Sequence, residues 1–479
     1  MRPYVVLRYN GFILLLNACF LLISSAISAF HEDSALFPLL YSAIVVALFG
    51  VFPLIYTPPA QEISNEEGLL IVVTSWLLSC LSGVIPYVLW GGEFTFTNAW
   101  FESVSGFTTT GSTVLTDIEA LPLGLLFWRS ATHWIGGIGI IIFALSLLPS
   151  MGKAGMLLYR SEMSPLAADN FRFRTKKTLK VLVVVYVGLT ILETIALLIC
   201  GMGLFDAVTH AFATIATGGF SPKTLNVAYF NSVSIEVVIM IFMVLSGMHF
   251  GLLFGAVCGD WKSLWKSSVA RSYMLMMAIG VLITTISLRG GVYKNWPDAL
   301  RYASFQLISL GTSTGFANAD SALWPSLSVL VIIFFTLQCA CAGSTSGGIK
   351  VDRFVLFWEA LKIRIARIKH PHMVVTAKQN GAPVEAGVLE ESVLYIVLYV
   401  AIIFFTSLLL TALGVDGLTA FTGSAATMGN AGPGFGTVSS LGNFSSIPAP
   451  GKWALSANML IGRLEIFSIL VLIKIRSWK

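Results

Sequence analysis

The sequence predicts an all-α membrane protein. Four span, half-helix, loop, span repeats surround one pore in pseudo-fourfold arrangement, preceded by an N-terminal two-helix hairpin. Three observations carry this expectation. Hydrophobic residues make up 56% of the 479-residue chain and charged residues 11%, against about 25% charged in soluble domains. Apolar runs long enough to cross a bilayer recur along the chain. Four times a short polar stretch ending in Thr-Gly or Met-Gly interrupts that apolar sequence.

The apolar runs cover roughly 11–30, 36–56, 68–90, 125–149, 179–201, 233–257, 272–288, 324–342, 391–414 and 455–475. Each can cross a hydrocarbon core of about 30 Å at about 1.5 Å per residue. In lipid the backbone must satisfy its own hydrogen bonds, so the runs read as helices. The first is expected to be a span rather than a secretory leader, because no small-residue cleavage site follows Phe30 and a second span comes at once. These two spans lack a polar loop and are expected to form a hairpin, residues 1–60, outside the pore. The repeats are expected at 61–178, 179–270, 271–388 and 389–479.

The polar stretches are FTTTGST (Phe107 to Thr113), IATGGFS (Ile215 to Ser221), GTSTGFA (Gly311 to Ala317) and ATMGNAG (Ala426 to Gly432). With Gly111, Gly218, Gly315 and Gly429 as references, the intervals are 107, 97 and 114 residues. Such a period means one unit repeated four times. Asn98, Asp206, Asp298 and Asp416 are expected N-caps of the half-helices. From cap to glycine the distances are 13, 12, 17 and 13 residues, so the third half-helix should be longer by one turn. A helix this short must enter the bilayer and return. Its carbonyl end then faces the loop and favours a cation.

A monovalent cation entering a narrow pore exchanges hydration water for oxygen ligands, which backbone carbonyls supply without a full charge. Glycine permits the positive φ that an inward carbonyl ring demands. The expected ligands are the carbonyls of Thr109 and Thr110, Ala216 and Thr217, Ser313 and Thr314, and Thr427 and Met428, with the adjoining Gly111, Gly218, Gly315 and Gly429. One Thr-Gly in a membrane helix would read as a packing notch. Four copies, each after a half-helix, read as a pore.

Conduction of this kind needs no catalytic residue and no cofactor beyond the transported ion. A membrane-embedded enzyme, the alternative of a different class, would need converging acids or metal ligands. No HExxH occurs, the six cysteines include no CxxC pair, and the six histidines form no ligand pattern. A proton- or sodium-coupled symporter is the rival within transport, with Glu193 and Glu465 as its titratable candidates. Glu102 is expected either to add negative potential at the outer mouth or to bond a neighbouring loop.

The stretch Gly343, Ser344, Thr345, Ser346, Gly347, Gly348 approaches a phosphate-binding loop, but Ile349 separates it from Lys350 and no strand is expected before it. It is expected instead to interrupt the second span of repeat three below the filter, as a gate or as a simple kink. Arg463 lies near the middle of the last span and must face the pore or a partner rather than lipid. Carbonyls around Gly343–Gly348 would suit its five donors; a pair with Glu193 is the alternative.

With both termini cytoplasmic and the four loops entering from outside, 22 of the 29 basic residues fall on cytoplasmic segments, as the positive-inside rule requires. The long connections 151–180 and 350–388 are among them, and either could hold a partner. That topology accounts for the basic run Arg172–Lys180, so no nucleic-acid partner is expected.

TTTGST, ATGGFSP, STGF, AGSTSGGIK (Ala342 to Lys350) and IGRLEI (Ile461 to Ile466) together resemble the TrkH/KtrB family of potassium uptake proteins. The extra N-terminal hairpin makes the TrkH branch the nearer, and the resemblance covers essentially the whole chain. It implies K⁺ uptake across the bacterial inner membrane by a multi-pass homodimer, each chain holding its own pore. It also implies that the loop 342–350 blocks the pore, that Arg463 contacts this loop as a positive barrier, and that a TrkA-like cytosolic nucleotide-binding subunit opens it. Gly at all four key positions is similar to potassium-permeable members, whereas Ser in the first loop accompanies sodium preference in plant relatives. The fourth loop departs from the pattern, with Met428 where Thr is usual.

Overall fold

The computed structural model describes residues 2–59, 63–138, 175–370, 376–379, 382–384 and 386–466. Most of the basic connection 151–180, the inner end of the 125–149 run and the C-terminal part of the 455–475 run lie outside the described residues. Within them the chain is helical between turns, with one two-residue antiparallel pairing, Lys378–Gln379 on Ala382–Pro383.

The first two helices, Pro3–Phe30 and Leu36–Tyr56, lie against each other as a hairpin. Their backbones approach closely at Gly11, where a Cβ would come within 2.6 Å of the Gly50 carbonyl. Small residues are what allow such contact in a membrane. The hairpin packs on Asn65–Trp90, and Asn17 donates across this seam to the Ser79 and Ser82 hydroxyls at 3.1 and 3.0 Å. The start of Asn65–Trp90 is fixed by Ser64, which accepts from the Glu67 N–H while Glu67 accepts from the Ser64 N–H.

Six described helices are long and apolar enough to cross a membrane. Two of the expected spans are broken. Val233–Ser246 and Phe250–Val257 meet at 106° across Gly247-Met248-His249. Ser326–Leu337 stops after 12 residues, and the chain resumes helix only at Val351–Lys369. Residues 123–138 and Ala449–Leu464 are helical up to the limit of the described residues or shortly before it.

Between the spans sit four short helices: Phe96–Phe107, Leu204–Ile215, Trp296–Gly311 and Gly417–Met428. They contain 12, 12, 16 and 12 residues, so the third is longer by one turn. Asp416 caps the fourth, accepting from the Leu418 and Thr419 N–H groups. The other caps are Thr95, Gly203 and Asn295, three residues before the expected ones. Asn98, Asp206 and Asp298 instead lie in the first turn, where the exposed N–H groups and the dipole favour a polar or acidic side chain. A first-turn acid and a cap look alike in sequence.

Several charged groups inside the bundle are paired, within a repeat or across the seam to the next. Glu102 and Arg129 lie 2.6 Å apart, both buried. Arg129 also donates to the Ser221 carbonyl at 3.0 Å and stacks on Phe220, tying repeat one to repeat two. Arg301 meets Glu236 at 2.7 Å, and Asn318 donates to the same carboxylate at 3.0 Å. Lys452 donates to Asn98 Oδ1 at 2.9 Å, joining repeat four to repeat one. Removing one member of a buried pair costs about 3–5 kcal/mol, because the other charge is left unpaired. Arg129→Met should therefore lower the melting temperature of the detergent-solubilised protein markedly. Adding Glu102→Leu should recover most of the loss, and thermal denaturation of both variants checks it.

Candidate ion pathway

The four short helices end in the same turn. Their cap residues are Thr108, Ala216, Thr312 and Gly429. The next residue is left-handed in every case: Thr109 (φ 53°), Thr217 (53°), Ser313 (56°) and Asn430 (50°). The residue after that donates its N–H five residues back, Thr110 to Ser105, Gly218 to Ala213, Thr314 to Ser309 and Ala431 to Ala426, at 2.8–2.9 Å. This pattern closes the last carbonyls of a helix and reverses the chain. One residue further lies a glycine with positive φ: Gly111 (83°), Gly219 (78°), Gly315 (83°) and Gly432 (87°).

Those glycines interlock. A Cβ on Gly111 would lie 2.1 Å from the Gly218 carbonyl oxygen, and one on Gly219 would lie 2.1 Å from the Thr314 oxygen. On Gly315 it would meet the Ala431 oxygen at 2.6 Å, and on Gly432 the Thr110 oxygen at 2.9 Å. The sequence of contacts runs from repeat one through two, three and four and returns to one. All four glycines line a single cleft with Ser112, Asn226, Pro433 and Ser440. No carboxylate is among the described residues lining it. Arg129, bonded to Glu102, is the charged residue among those lining it; the other polar surface is carbonyl, hydroxyl and amide.

The structural register differs from the sequence register in two loops. In the second, the positive-φ glycine is Gly219, next to Gly218. In the fourth it is Gly432, three residues beyond Gly429. Thr427 and Met428 form the last turn of the half-helix, and Gly429 caps it. The fourth turn is Gly429-Asn430-Ala431-Gly432, set against Thr108-Thr109-Thr110-Gly111, so the mismatch at Met428 disappears. The usable signal was Asn430, since Asn is the common non-glycine residue in left-handed conformation.

The stretch after Leu337 folds back against the ends of these half-helices and does not line the cleft. The Cys339 N–H donates to the Ile349 carbonyl at 2.9 Å and the Ile349 N–H to the Leu337 carbonyl at 3.0 Å, closing the base of a loop. Within it, Thr345 Oγ1 donates to the Ile215 carbonyl at 2.9 Å, at the end of the second half-helix. The Gly347 N–H donates to Ser313 Oγ at 2.9 Å, and Ser346 Oγ lies 3.2 Å from the same hydroxyl. Gly347 faces the Gly429 carbonyl, which a Cβ would approach to 2.4 Å. Arg463 donates to the Thr345 carbonyl at 2.6 Å and to the Gly136 carbonyl at 3.2 Å. Lys350 Nζ donates to the Ser346 carbonyl. Gly343, Ser344 and Gly348 complete the loop, with Gly343 and Gly348 at positive φ. One short segment thereby touches repeats two, three and four and is tied to repeat one through Arg463, and Thr345 and Ser346 are buried.

Other charged candidates lie elsewhere. Glu102 is buried and bonded to Arg129, Thr113 and the Val114 N–H rather than lining the mouth. Glu465 is paired with Arg353 at 2.8 Å. Glu193 is fully buried, and Arg463 bonds the Thr345 and Gly136 carbonyls. His133 stacks on Phe220, and His210 bonds the Asp206 carbonyl and Ser221. Sequence reasoning passed over Gly136, whose Cβ would lie 1.9 Å from the Phe107 carbonyl.

The ring of contacts makes a prediction about stability. Gly219→Ala drives a Cβ into rigid backbone and forces a side chain into a left-handed conformation, at about 1–3 kcal/mol of strain. Gly188→Ala, which meets nothing within 4 Å, should be neutral or slightly stabilising. Thermal denaturation of the two variants should separate them clearly.

The fold and its four returning loops define a polytopic α-helical membrane protein of the pore-loop type. A profile described as TrkH, cation transport protein, matches residues 40–268 and 292–477, and the chain belongs to that family, one of transporters rather than enzymes. It is 34% identical over 481 residues to the Trk system potassium uptake protein TrkH of Escherichia coli strain K12, covering 99% of both chains. It is 31% identical to the Trk system potassium uptake protein TrkG of the same organism, covering 99% of this chain and 98% of the relative. The crystal structure of the potassium transporter TrkH from Vibrio parahaemolyticus matches with a TM-score of 0.89 at 31% identity, covering 100% of both chains.

Proposed function

We propose that this chain is the K⁺-translocating subunit of a Trk-type uptake system in the bacterial inner membrane. The observation that carries the reading is the closed ring of four equivalent turns at the carbonyl ends of four half-helices. K⁺ is the ion named for the relatives. It would exchange water for carbonyls of Thr109 and Thr110, of Thr217 and Gly218, of Ser313 and Thr314, and of Asn430 and Ala431, with Gly111, Gly219, Gly315 and Gly432 permitting the approach. Ala216, Thr427, Met428 and Gly429 hold the helix ends behind them. The membrane potential supplies the drive, about 2.3 kcal/mol per charge per 100 mV, enough for a roughly 50-fold inward gradient.

The loop 342–350 is the gate in this reading. Its contacts with repeats two, three and four support a plug, and Arg463, which also bonds Gly136 of repeat one, places a fixed positive charge beside it. A TrkA-like nucleotide-binding subunit acts from the cytosol, where both termini also lie, and the pore protein is a homodimer with one pore per chain. The chain divides into the hairpin 1–60 and the repeats 61–178, 179–270, 271–388 and 389–479. A coupled symporter draws no support from Glu465, which is bonded to Arg353.

Purified protein in liposomes with a K⁺ gradient tests the proposal. Flux of K⁺ and Rb⁺ should exceed that of Na⁺ and Li⁺, and Gly111→Ser should erase most of the difference. Equal silence for every ion, even with the Gly343–Gly348 loop deleted, would overturn the reading. Arg463→Ala removes charge-assisted hydrogen bonds from the closed loop. A loss of about 1.5–3 kcal/mol from that state should raise basal flux roughly ten-fold or more.

A further inference from the structure

The break in the second span of repeat two is bound to the gate loop. The Cys341 N–H donates to the Gly247 carbonyl at 3.0 Å, and the Phe250 N–H donates to the Gly343 carbonyl at 3.0 Å. These bonds bracket the 106° bend between Val233–Ser246 and Phe250–Val257. His249 sits at the bend, where its Nδ1 accepts from the Gly251 N–H at 3.0 Å, and a Cβ on Gly343 would strike its ring. The short helix Phe250–Val257 therefore cannot move away without breaking its backbone bond to residue 343, while residue 341 holds Gly247 on the other side of the bend.

Past that helix comes a second short one, Trp261–Lys266, none of whose residues lines the cleft. Trp261 and Trp265 are 67% and 75% exposed. Their spacing of four puts them on one side of the helix. Lys262 and Lys266 repeat the same spacing one residue on, both exposed, and exposed Arg271 opens the following span. Asp260 is the acid of residues 258–271. Paired indoles beside paired ammonium groups, between two membrane helices, form a surface that lies in the bilayer interface. Its net positive charge is complementary to anionic headgroups.

We propose that residues 261–271 bind anionic phospholipid headgroups and that this binding holds the gate loop shut. Trp261 and Trp265 are exposed while Phe250–Val257 is bonded to Gly343. Lipid that grips this arrangement favours it over any in which Phe250–Val257 departs. A ligand shifts an equilibrium by its preference for one of the two states, so anionic lipid lowers basal flux. The inference rests on the reading of residues 342–350 as the gate.

The test compares wild type with the triple variant Lys262→Gln, Lys266→Gln, Arg271→Gln in phosphatidylcholine vesicles with and without phosphatidylglycerol. Added phosphatidylglycerol should lower wild-type K⁺ flux by roughly five-fold, a scale set by the attraction of one basic residue to an anionic surface. In the variant the ratio should stay near one. Equal sensitivity in the two proteins, or none in wild type, as for a surface that serves a cytosolic protein, overturns this inference and leaves the transport function standing. Absence of K⁺ flux in either lipid strikes at the transport function instead. The lipid site then stands or falls on brominated phosphatidylglycerol, whose quenching of tryptophan fluorescence should be stronger in wild type than in the triple variant. Equal quenching contradicts it.

Discussion

A side chain of any size at Gly111 would occupy the place of the Gly218 carbonyl oxygen, and the same holds around the ring at Gly219, Gly315 and Gly432. That contact constrains the rest of the molecule. Four backbones can meet at one axis only if each lacks a Cβ there, and each must turn sharply to arrive. The turn needs a helix that stops in mid-membrane, and that helix leaves carbonyls and N–H groups without helical partners. In lipid those groups must be satisfied by protein or by a water-filled cavity. The spans of each repeat supply the protein wall, which is why one short loop requires two flanking helices.

The same constraint explains where charge is placed. The cleft draws no carboxylate from its described lining, so an ion there meets dipoles rather than a counter-ion that would hold it. Charges inside the bundle serve packing: Glu102 holds Arg129, which reaches Ser221 of repeat two, and Glu236–Arg301 fixes repeat two against repeat three. On the inner side the pattern changes. Arg463 and Lys350 both donate to carbonyls of the 342–350 loop, at Thr345 and Ser346. In the proposed reading, two cations held by a segment that touches repeats two, three and four would oppose a cation on the axis. Displacing that segment would remove the obstruction and the fields together.

Much of this was legible in the sequence, because membrane insertion leaves a coarse and strong signal. The hairpin, six of the long spans and the extra turn of the third half-helix followed from run lengths and spacing. The finer register did not. Thr-Gly and Met-Gly marked the neighbourhood of each loop, but the repeated object is a backbone turn. In the fourth copy Asn430 supplies the left-handed residue that Thr or Ser supplies elsewhere. The caps slipped by three residues for a related reason, since Asp206 and Asp298 answer the helix dipole as first-turn acids. The break at Gly247-Met248-His249 lay inside an unbroken apolar run. Only its bonds to Cys341 and Gly343, distant in sequence, reveal it.

The central claim is that a dehydrated cation sits on the axis shared by the four turns. Its most direct test is to crystallise the protein with Rb⁺ or Tl⁺ and locate the anomalous density. The account requires a peak ringed by the carbonyls of Thr110, Gly218, Thr314 and Ala431, with no comparable peak when Na⁺ replaces the heavier ion. Strong density lying off that axis, or an axis empty under saturating Tl⁺, would contradict it.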